Sequence, residues 1–493
     1  MKPVLVLVND RDGCFPADMM ANRCVTLALL FLLIATGVAQ ARPFTVMVYN
    51  VENLFDADGI SVYEEYRPNV YTPSHMRTKV ATIAQVVAKL DGGKGPDIIL
   101  FQEIEIDRSP DDEPAAEARL VAALKVRGIT GYQVISADDR PDSPHEDGNQ
   151  RAIRCVVFTR FPVVAVRNHP IPNARNILEV ELEIDGARLY VFNNHWKSGA
   201  SDPVTEKIRV ANARVLRARL DQILKADPQA DIILGGDFNS QYNQSRRYGG
   251  TMLQTALNDV LRSQGNELAI RGPDRDLYNL WFELPVDKRG SDTYRGEWGT
   301  LMQIMITRGL YDFRGVQYVD NSMSVLKVPG LNATEEGTPL RWTNVGPAGG
   351  GASDHFPIYA RFITVPDNQP TRWLALQKPS PNDESPTQAV KAPERKVDVT
   401  KALTLSQFPA AEAIRKAEFM GKLFRVQGKV QPGSRIAIAA LNDVWEVWIP
   451  DPALRTRVKG QWREGETVTF LGLLGQHSGK WQFVVEKEEW LRP

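Results

Sequence analysis

Hydrophobic positions follow two different periods along the first two thirds of the chain. Apolar runs predict strands at FTVMVYNV, PDIILFQEI, AIRCVVFTRF and DIILGGDFN, and apolar residues at helical spacing predict helices at SHMRTKVATIAQVVAKL and PVTEKIRVANARVLRARLDQILKA. The stretch ILEVELEIDGARLYVF alternates and turns at Asp185-Gly186, which is a two-residue hairpin signal. Hairpins mixed with helical crossovers indicate layered α/β sheets covered by helices rather than a purely parallel sheet.

The periodic pattern ends near Thr364. Residues 366–400 are rich in proline and polar residues without periodicity, which predicts a linker. Beyond it, GKLFRVQGKVQ, SRIAIAALN, VWEVWIPD, GETVTFLGLLGQ and KWQFVVEKEEW predict closely spaced short strands. We therefore expect a first domain over 42–365 and a small, OB-like β-barrel domain over 401–493.

The N-terminal segment has the composition of a targeting signal. MANRCVTLALLFLLIATGVAQA, from Met20 to Ala41, has a basic start, an apolar run and a small-residue cleavage signal. The apolar run is shorter than the ~20 residues of a full span, which favours cleavage over the alternative of a membrane anchor. The polar residues before it do not fit a signal peptide, so we expect translation to start at Met19 or Met20. Removal of residues 1–41 would give a secreted or periplasmic protein.

Composition and charge set broad limits. A chain of 493 residues is too long for one ordinary core, which agrees with several domains. The net charge of -1 argues against a binder of polyanions over the whole surface but not against a local basic cleft. Of the three cysteines, only Cys155 lies outside the predicted signal segment, so the mature chain has no internal disulfide.

Five polar segments follow predicted strands: YNVENLFD, FQEIE, FNNHWKSG, GGDFNS and GGASDHFP. In an extended segment, positions i and i+2 project to the same side, so Asp237 and Asn239 can face one ligand together. The two glycines before them let the backbone approach that ligand closely. Each segment alone has little diagnostic value, because a single Asn after a strand is usually a turn residue. Their joint order is informative.

In that order the five segments resemble the endonuclease/exonuclease/phosphatase superfamily, which has the DNase I-like fold. YNVENLFD and NHWKSG are similar to its branch of bacterial extracellular nucleases. The resemblance spans roughly residues 44–362. It implies a four-layered α/β sandwich, in which two mixed β-sheets are flanked by helices and the active site lies where the strand ends converge.

The resemblance also implies a metal site. Glu103 would be the main Mg²⁺ ligand, helped by Asn50, Glu52 and Asp354. Hard oxygen ligands with open water positions suit Mg²⁺, with Mn²⁺ or Ca²⁺ as alternatives.

The same resemblance implies the catalytic residues. Asp237 would activate or orient the attacking water, and Asn239 would hold a phosphate oxygen. His195 would donate to the phosphate with Arg151 beside it, and His355 would supply an acid/base or phosphate-stabilising imidazole. These groups meet the needs of phosphodiester hydrolysis, in which donors neutralise phosphate oxygens while a base positions water.

One position departs from the family pattern. In GTLMQIMITRGL, Met302 stands where the family usually has an Asp that orients the imidazole of His355. Methionine cannot accept a strong hydrogen bond, so His355 loses its expected orienting group. Two interpretations stay open. A nearby carboxylate, Asp292 or Glu297, takes over, or activity is weak or its specificity altered.

We therefore expect a secreted, Mg²⁺-dependent phosphodiesterase that acts on nucleic acid, as a DNA endonuclease with RNA as an alternative substrate. Arg246, Arg247 and Arg271 lie in the segment that shapes substrate access and are compatible with a polyanionic strand. The alternatives are a phosphatase or lipid phosphodiesterase of the same superfamily, or a binding protein of low activity.

Aromatic residues of the small β domain allow two roles. Trp445, Trp448 and Phe483 either stack on single-stranded nucleic acid or form the core of the barrel. We expect the core role for them.

Overall fold

The structure, a computed structural model, describes residues 42–109, 113–139, 151–270, 275–365, 386–393, 397–477 and 480–492. These belong to one compact unit that begins at Arg42. The predicted signal segment 1–41, most of the predicted linker and Arg271 lie outside the described residues. Within the described ranges, no helix is both long enough and apolar enough to cross a membrane.

The described α-helices are α1 (Pro73–Val87), α2 (Ala116–Val126), α3 (Pro203–Ala226), α4 (Gln244–Tyr248), α5 (Glu267–Ile270) and α6 (Pro452–Gln461). Both predicted helices are confirmed as α1 and α3. Proline occupies the first position of each, where its missing N–H costs nothing. Asp202 caps α3 by accepting a hydrogen bond from the Val204 N–H, and Thr72 and His75 form a capping box at α1.

The first sheet is mixed and has the order β14-β16-β1-β2-β4-β3, with β15 paired to β16. Its strands β1 and β2 are parallel and its other pairs are antiparallel. The strands are β1 (Pro43–Leu54), β2 (Ile98–Glu105), β3 (Gln133–Ser136), β4 (Ile153–Thr159), β14 (Gly315–Tyr318), β15 (Ser324–Val325) and β16 (Ile358–Val365).

The second sheet is also mixed and has the order β5-β6-β7-β8-β13-β10-β9. The predicted hairpin is confirmed, because Asp185 and Gly186 both have positive φ (50° and 86°) between β6 and β7. The strands are β5 (Val163–His169), β6 (Ile177–Ile184), β7 (Ala187–His195), β8 (Asp231–Asp237), β9 (Ser263–Gln264), β10 (Leu277–Asn279) and β13 (Met302–Ile306).

The two sheets pack face to face between two layers of helix. Alternate residues of β1 show the division: Val46 and Val48 pack against the second sheet, while Met47 and Tyr49 pack beneath α1 and α2. Helix α3 covers the far face of the second sheet. Cys155 is buried between the sheets as a free thiol. The predicted four-layered sandwich is confirmed.

The C-terminal strands form a small barrel with its own core. The order β17-β18-β19-β20-β22-β21 closes through pairing of β18 with β21. Trp445 and Phe483 are fully buried in its core, whereas Trp448 is 41% exposed. The strands are β17 (Leu403–Thr404), β18 (Leu423–Val430), β19 (Ala437–Ala440), β20 (Asp443–Trp448), β21 (Thr467–His477) and β22 (Lys480–Val484).

Two features of the fold were not predicted. Helix α6 lies between β20 and β21, and only Leu454 and Val458 of it are buried, so its apolar signal in the sequence is weak.

Part of the predicted linker, residues 386–393, packs along the hairpin of β11 (Asp292–Tyr294) and β12 (Glu297–Gly299). This part of the predicted linker is therefore held against the hairpin by backbone contacts.

Candidate active site

Four polar side chains meet where parallel strands of both sheets end. Asn50 and Glu103 lie where the regular parallel pairing of β1 with β2 in the first sheet is interrupted by a register shift. His195 and Asp237 are paired at the ends of β7 and β8 in the second. The carboxyl ends of strands at such a junction are a usual place for a ligand site in α/β proteins.

A glycine lets the sheets approach each other at this junction. A Cβ on Gly235 would lie 2.5 Å from Leu100 Cδ1 and 2.9 Å from Val48 Cγ2 of the facing sheet. Gly236 has a φ of 141°, and a Cβ there would lie 2.1 Å from the Asn194 carbonyl oxygen. The glycine pair of GGDFNS thus allows close packing of β8, which brings Asp237 to residues of the other sheet.

Left-handed backbone directs several of the predicted site residues. Glu52, Glu103 and Asn239 have φ values of 51°, 65° and 48°, which are uncommon outside glycine. At Glu103 this coincides with a shift in the pairing register of β2 with both of its neighbours. Such bulges and strained residues are frequent at functional sites, where they redirect a side chain.

Asn50 connects the two carboxylates at the centre. Its Nδ2 donates to Glu103 Oε1 at 2.9 Å and to Asp237 Oδ2 at 3.0 Å. Its Oδ1 accepts a hydrogen bond from the backbone N–H of Glu52 at 2.9 Å. Asn50 therefore presents its amide nitrogen to the carboxylates, and its oxygen is already bonded.

The imidazole of His195 completes a group with metal-ligating potential. Its Nε2 lies 3.7 Å from Glu103 Oε1 and 3.9 Å from Asp237 Oδ2. The three ligand atoms all lie within 4.8 Å of one another, so that one cation could contact all three. Two carboxylates suit a hard cation such as Mg²⁺, whereas an imidazole ligand suits transition metals better.

The electrostatics of this cluster favour a bound cation. Burial raises the pKa of the Glu103 carboxyl, and the negative charge of Asp354 raises it further. Burial also lowers the pKa of His195 well below its usual value, with the positive charges of Arg175 and His355 adding to the effect. Carboxylates that are costly to ionise without a partner are stabilised when a cation binds among them.

His355 approaches the same carboxylates from the loop before β16. Its Nε2 lies 3.7 Å from Asp237 Oδ2 and 3.7 Å from Asp354 Oδ1. Burial lowers the pKa of the imidazole, but the carboxylates of Asp354, Asp237 and Asp292 outweigh burial and raise it to about 9. The hydroxyl of Ser353 fixes this loop, because it donates to the Asn50 carbonyl and accepts from the His355 N–H.

Comparison with protein families identifies the fold and its chemistry. The model of the endonuclease/exonuclease/phosphatase family matches residues 45–364. The chain belongs to this family. Its members are metal-dependent phosphodiester hydrolases, so the predicted enzyme class is confirmed. Comparison with curated proteins gives no match.

Solved structures with a similar fold include three relatives of low sequence identity. The endonuclease/exonuclease/phosphatase from Beutenbergia cavernae DSM 12333 is 17% identical, with 66% of this chain and 72% of that chain covered and a TM-score of 0.42. Truncated Caenorhabditis elegans TDP2 is 14% identical, with 65% and 98% covered and a TM-score of 0.39. D. rerio TDP2 complexed with single strand DNA product is 14% identical, with 65% and 98% covered and a TM-score of 0.37.

Two residues predicted for the active site of this hydrolase, Glu52 and Arg151, have side chains that are bound to other residues. Both carboxylate oxygens of Glu52 are engaged, by the Arg341 guanidinium and by the Trp342 N–H. Arg151 donates to Asp139 at 2.7 Å and to Asn176 at 3.2 Å rather than standing beside His195. The remaining predicted residues lie at the cluster or on its rim.

Asn239 lies on the rim of the cluster, directly after Asp237. Its backbone N–H donates to Asp237 Oδ1 at 2.9 Å, and its Nδ2 donates to the Trp196 carbonyl at 3.1 Å. Trp196 itself is fully buried against Phe238, so it contributes packing. Asn239 thereby fixes the orientation of the Asp237 carboxylate.

The position of Met302, where the chain departs from the family pattern, lies next to Asp237 on β13. Its side chain is fully buried in the core between the sheets. Among the described residues, His355 Nδ1 has no hydrogen-bond partner. Asp292 pairs with His355 through an isolated backbone bridge, and its carboxylate is held by the Ser291 hydroxyl and the Leu301 N–H.

Of the two carboxylates expected to orient His355 in place of the Asp that Met302 replaces, the structure favours Asp292. Its charge is among those that raise the pKa of His355. Glu297 instead pairs with Arg247 at 3.3 Å and with Lys391 at 3.0 Å.

Three basic residues of this site were missed in the sequence. Arg175 precedes β6, is half-buried, and lowers the pKa of both Glu103 and His195. Arg341 lies 3.8 Å from Asp354. Lys79 is fully buried on α1, and its ammonium donates to the carbonyls of Glu52 and Asn53. None of them belongs to a recognised motif, so only the folded chain reveals them.

Proposed function

We propose that this hydrolase is an exported, Mg²⁺-dependent nuclease that cleaves DNA internally. The observation that carries the proposal is the convergence of Glu103, His195 and Asp237 on one point, with their ligand atoms within 4.8 Å of one another. The two carboxylates can hold the cation, and the neighbouring imidazoles can donate to a phosphate. Bound there, the cation would neutralise charge on phosphate oxygens and lower the pKa of a bound water.

The chain's own residues supply the remaining requirements of hydrolysis. Asp237 is fixed by hydrogen bonds from Asn50 and from the Asn239 N–H, so its carboxylate is oriented to accept a proton from an attacking water. The Nε2 atoms of His195 and His355 lie 3.9 Å and 3.7 Å from the same oxygen of that carboxylate, Oδ2. Both imidazoles are therefore placed to donate to oxygens of a phosphate that stands over the cluster.

The cations around the cluster favour a substrate with more than one phosphate. Arg175 is half-buried beside Glu103 and His195, and Arg341 is mostly exposed beside Asp354. A guanidinium binds phosphate oxygens with two parallel donors, which fits successive phosphates of a nucleic-acid strand. A free phosphomonoester would use only one of these positions.

The test is nicking of supercoiled plasmid by the chain from Arg42 to Pro493, in Mg²⁺ and in EDTA. Wild-type protein should nick in Mg²⁺ only, and Glu103→Gln and Asp237→Ala should lose the activity. Glu105→Gln is the matched control, because Glu105 lies on the same strand as Glu103 but accepts a hydrogen bond from the Asp56 N–H. Burial raises the pKa of Glu105 to about 9, so a neutral amide reproduces its state.

The outcomes separate the alternatives. Nicking by the control but not by the site variants supports the proposal. An absence of nicking, with hydrolysis of a phosphomonoester or phospholipid that still depends on Asp237, would replace it with a phosphatase or lipid phosphodiesterase activity. Nicking that survives in EDTA would contradict the metal requirement.

Export is part of the same proposal, and its support is the signal-like sequence from Met20 to Ala41. We expect a mature N-terminus at Arg42. Expression of the full sequence in a bacterial host, followed by mass spectrometry of secreted and periplasmic fractions, measures that terminus. Protein found only with an uncleaved N-terminus would overturn the export proposal without affecting the nuclease proposal.

A further inference from the structure

A cleft of about 900 Å³ opens directly beside His355. Asn239 and Asp354 also line it, so a ligand in the cleft lies next to Glu103, His195 and Asp237, which form the hydrolytic cluster. The hairpin β11–β12 also lines it, together with Thr387, Gln388, Ala389 and Lys391 of the segment 386–393. Its volume is in the range of small-molecule sites and can hold one or two nucleotides.

The hairpin presents an aromatic ring and a cation to this cleft. Tyr294 is 64% exposed, so most of its ring is accessible to a ligand. The guanidinium of Arg295 lies 5.0 Å from the centre of the Tyr294 ring. In the part of the chain that the structure describes, no carboxylate pairs with Arg295. The ring and the cation are therefore both open to a ligand.

The segment 386–393 supports the hairpin through backbone hydrogen bonds. The Trp298 N–H donates to the Val390 carbonyl at 2.8 Å, and the Ala392 N–H donates to the Gly296 carbonyl at 2.9 Å. A two-stranded hairpin alone is marginally stable, and a third strand-like segment stabilises it.

Packing and backbone contacts also fix the hairpin relative to the site. Trp298, Ala392 and Phe356 share one small apolar cluster, and the Phe356 N–H donates to the Ser291 carbonyl at 2.6 Å. Phe356 follows His355 directly in the chain. Tyr294 is thus held in a defined position beside the hydrolytic cluster.

We propose that the exposed surface of this hairpin binds an unpaired nucleotide next to the scissile phosphodiester. The base stacks on Tyr294, and Arg295 binds a flanking phosphate. The proposal rests on the proposed nuclease function and names the substrate form that the site prefers. Stacking on aromatic rings is a general means of binding single strands, because every base has a π-face. In a duplex those faces are covered by neighbouring bases, so the hairpin surface favours unpaired strands.

Binding is measured with full-length mature protein and a fluorescein-labelled oligothymidylate of eight nucleotides, in EDTA to prevent cleavage. Tyr294→Ala should weaken binding about 5- to 100-fold, as expected for loss of one stacked base. Tyr294→Phe should remain within twofold of wild type, because it keeps the ring. Arg295→Ala should weaken binding and reduce its dependence on salt. Val126→Ala is the control, because Val126 is 88% exposed but does not line the cleft.

A labelled duplex and the kinetics in Mg²⁺ complete the test. Tyr294→Ala should change duplex affinity by less than twofold and should raise KM on the single strand more than it lowers kcat.

The inference would be overturned by equal losses of affinity on duplex and single strand, or by an unchanged affinity of Tyr294→Ala. It would also be overturned if wild type showed no measurable binding of oligothymidylate. If wild type cleaves no nucleic acid, the proposed function fails. A single-strand affinity that depends on Tyr294 would still support the binding site.

Discussion

The amide nitrogen of Asn50 donates to Asp237 Oδ2 at 3.0 Å, although the two residues lie on strands of different sheets. The same nitrogen donates to Glu103 Oε1 at 2.9 Å. One neutral side chain therefore holds the buried carboxylate of Asp237 and the partly buried one of Glu103 at a fixed separation. The geometry of the site depends on the packing of the two sheets, because neither sheet contains all three residues.

Asn50→Asp should lower both activity and metal affinity. The substitution replaces a shared donor with a third carboxylate, so the carboxylates repel one another and lose their orientation. Changes to groups that orient metal ligands typically cost 10- to 100-fold, and we expect a loss of about that size. Plasmid nicking over a range of Mg²⁺ concentrations measures both effects. A variant with wild-type activity and metal dependence would show that Asn50 does not position the carboxylates.

Asp292→Asn should lower kcat while leaving metal affinity within twofold of wild type. Asp292 is the carboxylate that the structure places beside His355 in the absence of the family's usual Asp. Loss of an orienting Asp in a catalytic triad can cost about 10⁴-fold, which is an upper limit here because the site is metal-assisted. Glu297→Gln is the matched control, because Glu297 lies in the same hairpin but pairs with Arg247 and Lys391. Equal activity of the two variants would contradict the role of Asp292.

Met302→Asp should lower the melting temperature without a gain in turnover. Met302 is fully buried between the sheets, so an Asp there would place a carboxylate in apolar surroundings. Met302→Leu keeps the volume and should cost less than about 1.5 kcal/mol of folding free energy. Thermal unfolding and plasmid nicking of the two variants provide the measurement. A rise in turnover at an unchanged melting temperature would show that position 302 still orients His355.

Much of the fold was predictable from the sequence, because its apolar periods and the Asp185-Gly186 turn act locally. Asp237 and Asn239 were also predictable, since they follow a glycine pair at the end of a buried strand. The failures concern residues whose direction depends on distant partners. Glu52 has left-handed backbone and turns to Arg341 and Trp342, far along the chain. No local pattern contains that information.

A side-chain contact between the two sheets beneath the site was likewise not predictable from the sequence. Gln102 precedes Glu103 in FQEIE, and its Nε2 donates to Asn193 Oδ1 of the other sheet at 2.6 Å. Asn193 in turn donates to the carbonyls of Phe101 and Val156. The sequence shows Gln102 and Asn193 as parts of two motifs, but only the fold shows that they bind each other. Their role is to hold the sheets in register beneath the metal-ligating residues.

Lys79→Met should destabilise the protein strongly. The buried ammonium donates to the Glu52 and Asn53 carbonyls, whose residues both have left-handed backbone, and it lies 5.0 Å from the centre of the Trp342 ring. Methionine fills similar space but removes the ammonium from both carbonyls, so Glu52 keeps only a long bond from the Tyr66 hydroxyl at 3.4 Å, at a cost of about 1–3 kcal/mol. Urea unfolding measures the loss. Lys89→Met is a control on the exposed part of the chain after α1, and the two variants should differ clearly.

Glu179→Gln should destabilise the protein at neutral pH but not in strong acid. Glu179 is buried on β6 and accepts hydrogen bonds from Arg219, Arg167 and His169. Burial opposes its ionisation, but the bonds from Arg219 and His169 outweigh burial and lower its pKa to about 2. A carboxyl whose folded-state pKa is depressed stabilises the fold above its unfolded pKa, and the effect is lost as pH falls through the folded value.

The loss in Glu179→Gln should therefore be about 2 kcal/mol at pH 7, allowing for solvent screening of the partly exposed arginines. It should shrink below about pH 4.5, where the unfolded wild-type chain takes up a proton, and should vanish near pH 2. Urea unfolding at several pH values gives the profile, and Glu183→Gln, an exposed position on the same strand, should show no such dependence. A loss that stays constant from pH 7 to pH 3 would mean that Glu179 acts through packing rather than through its charge.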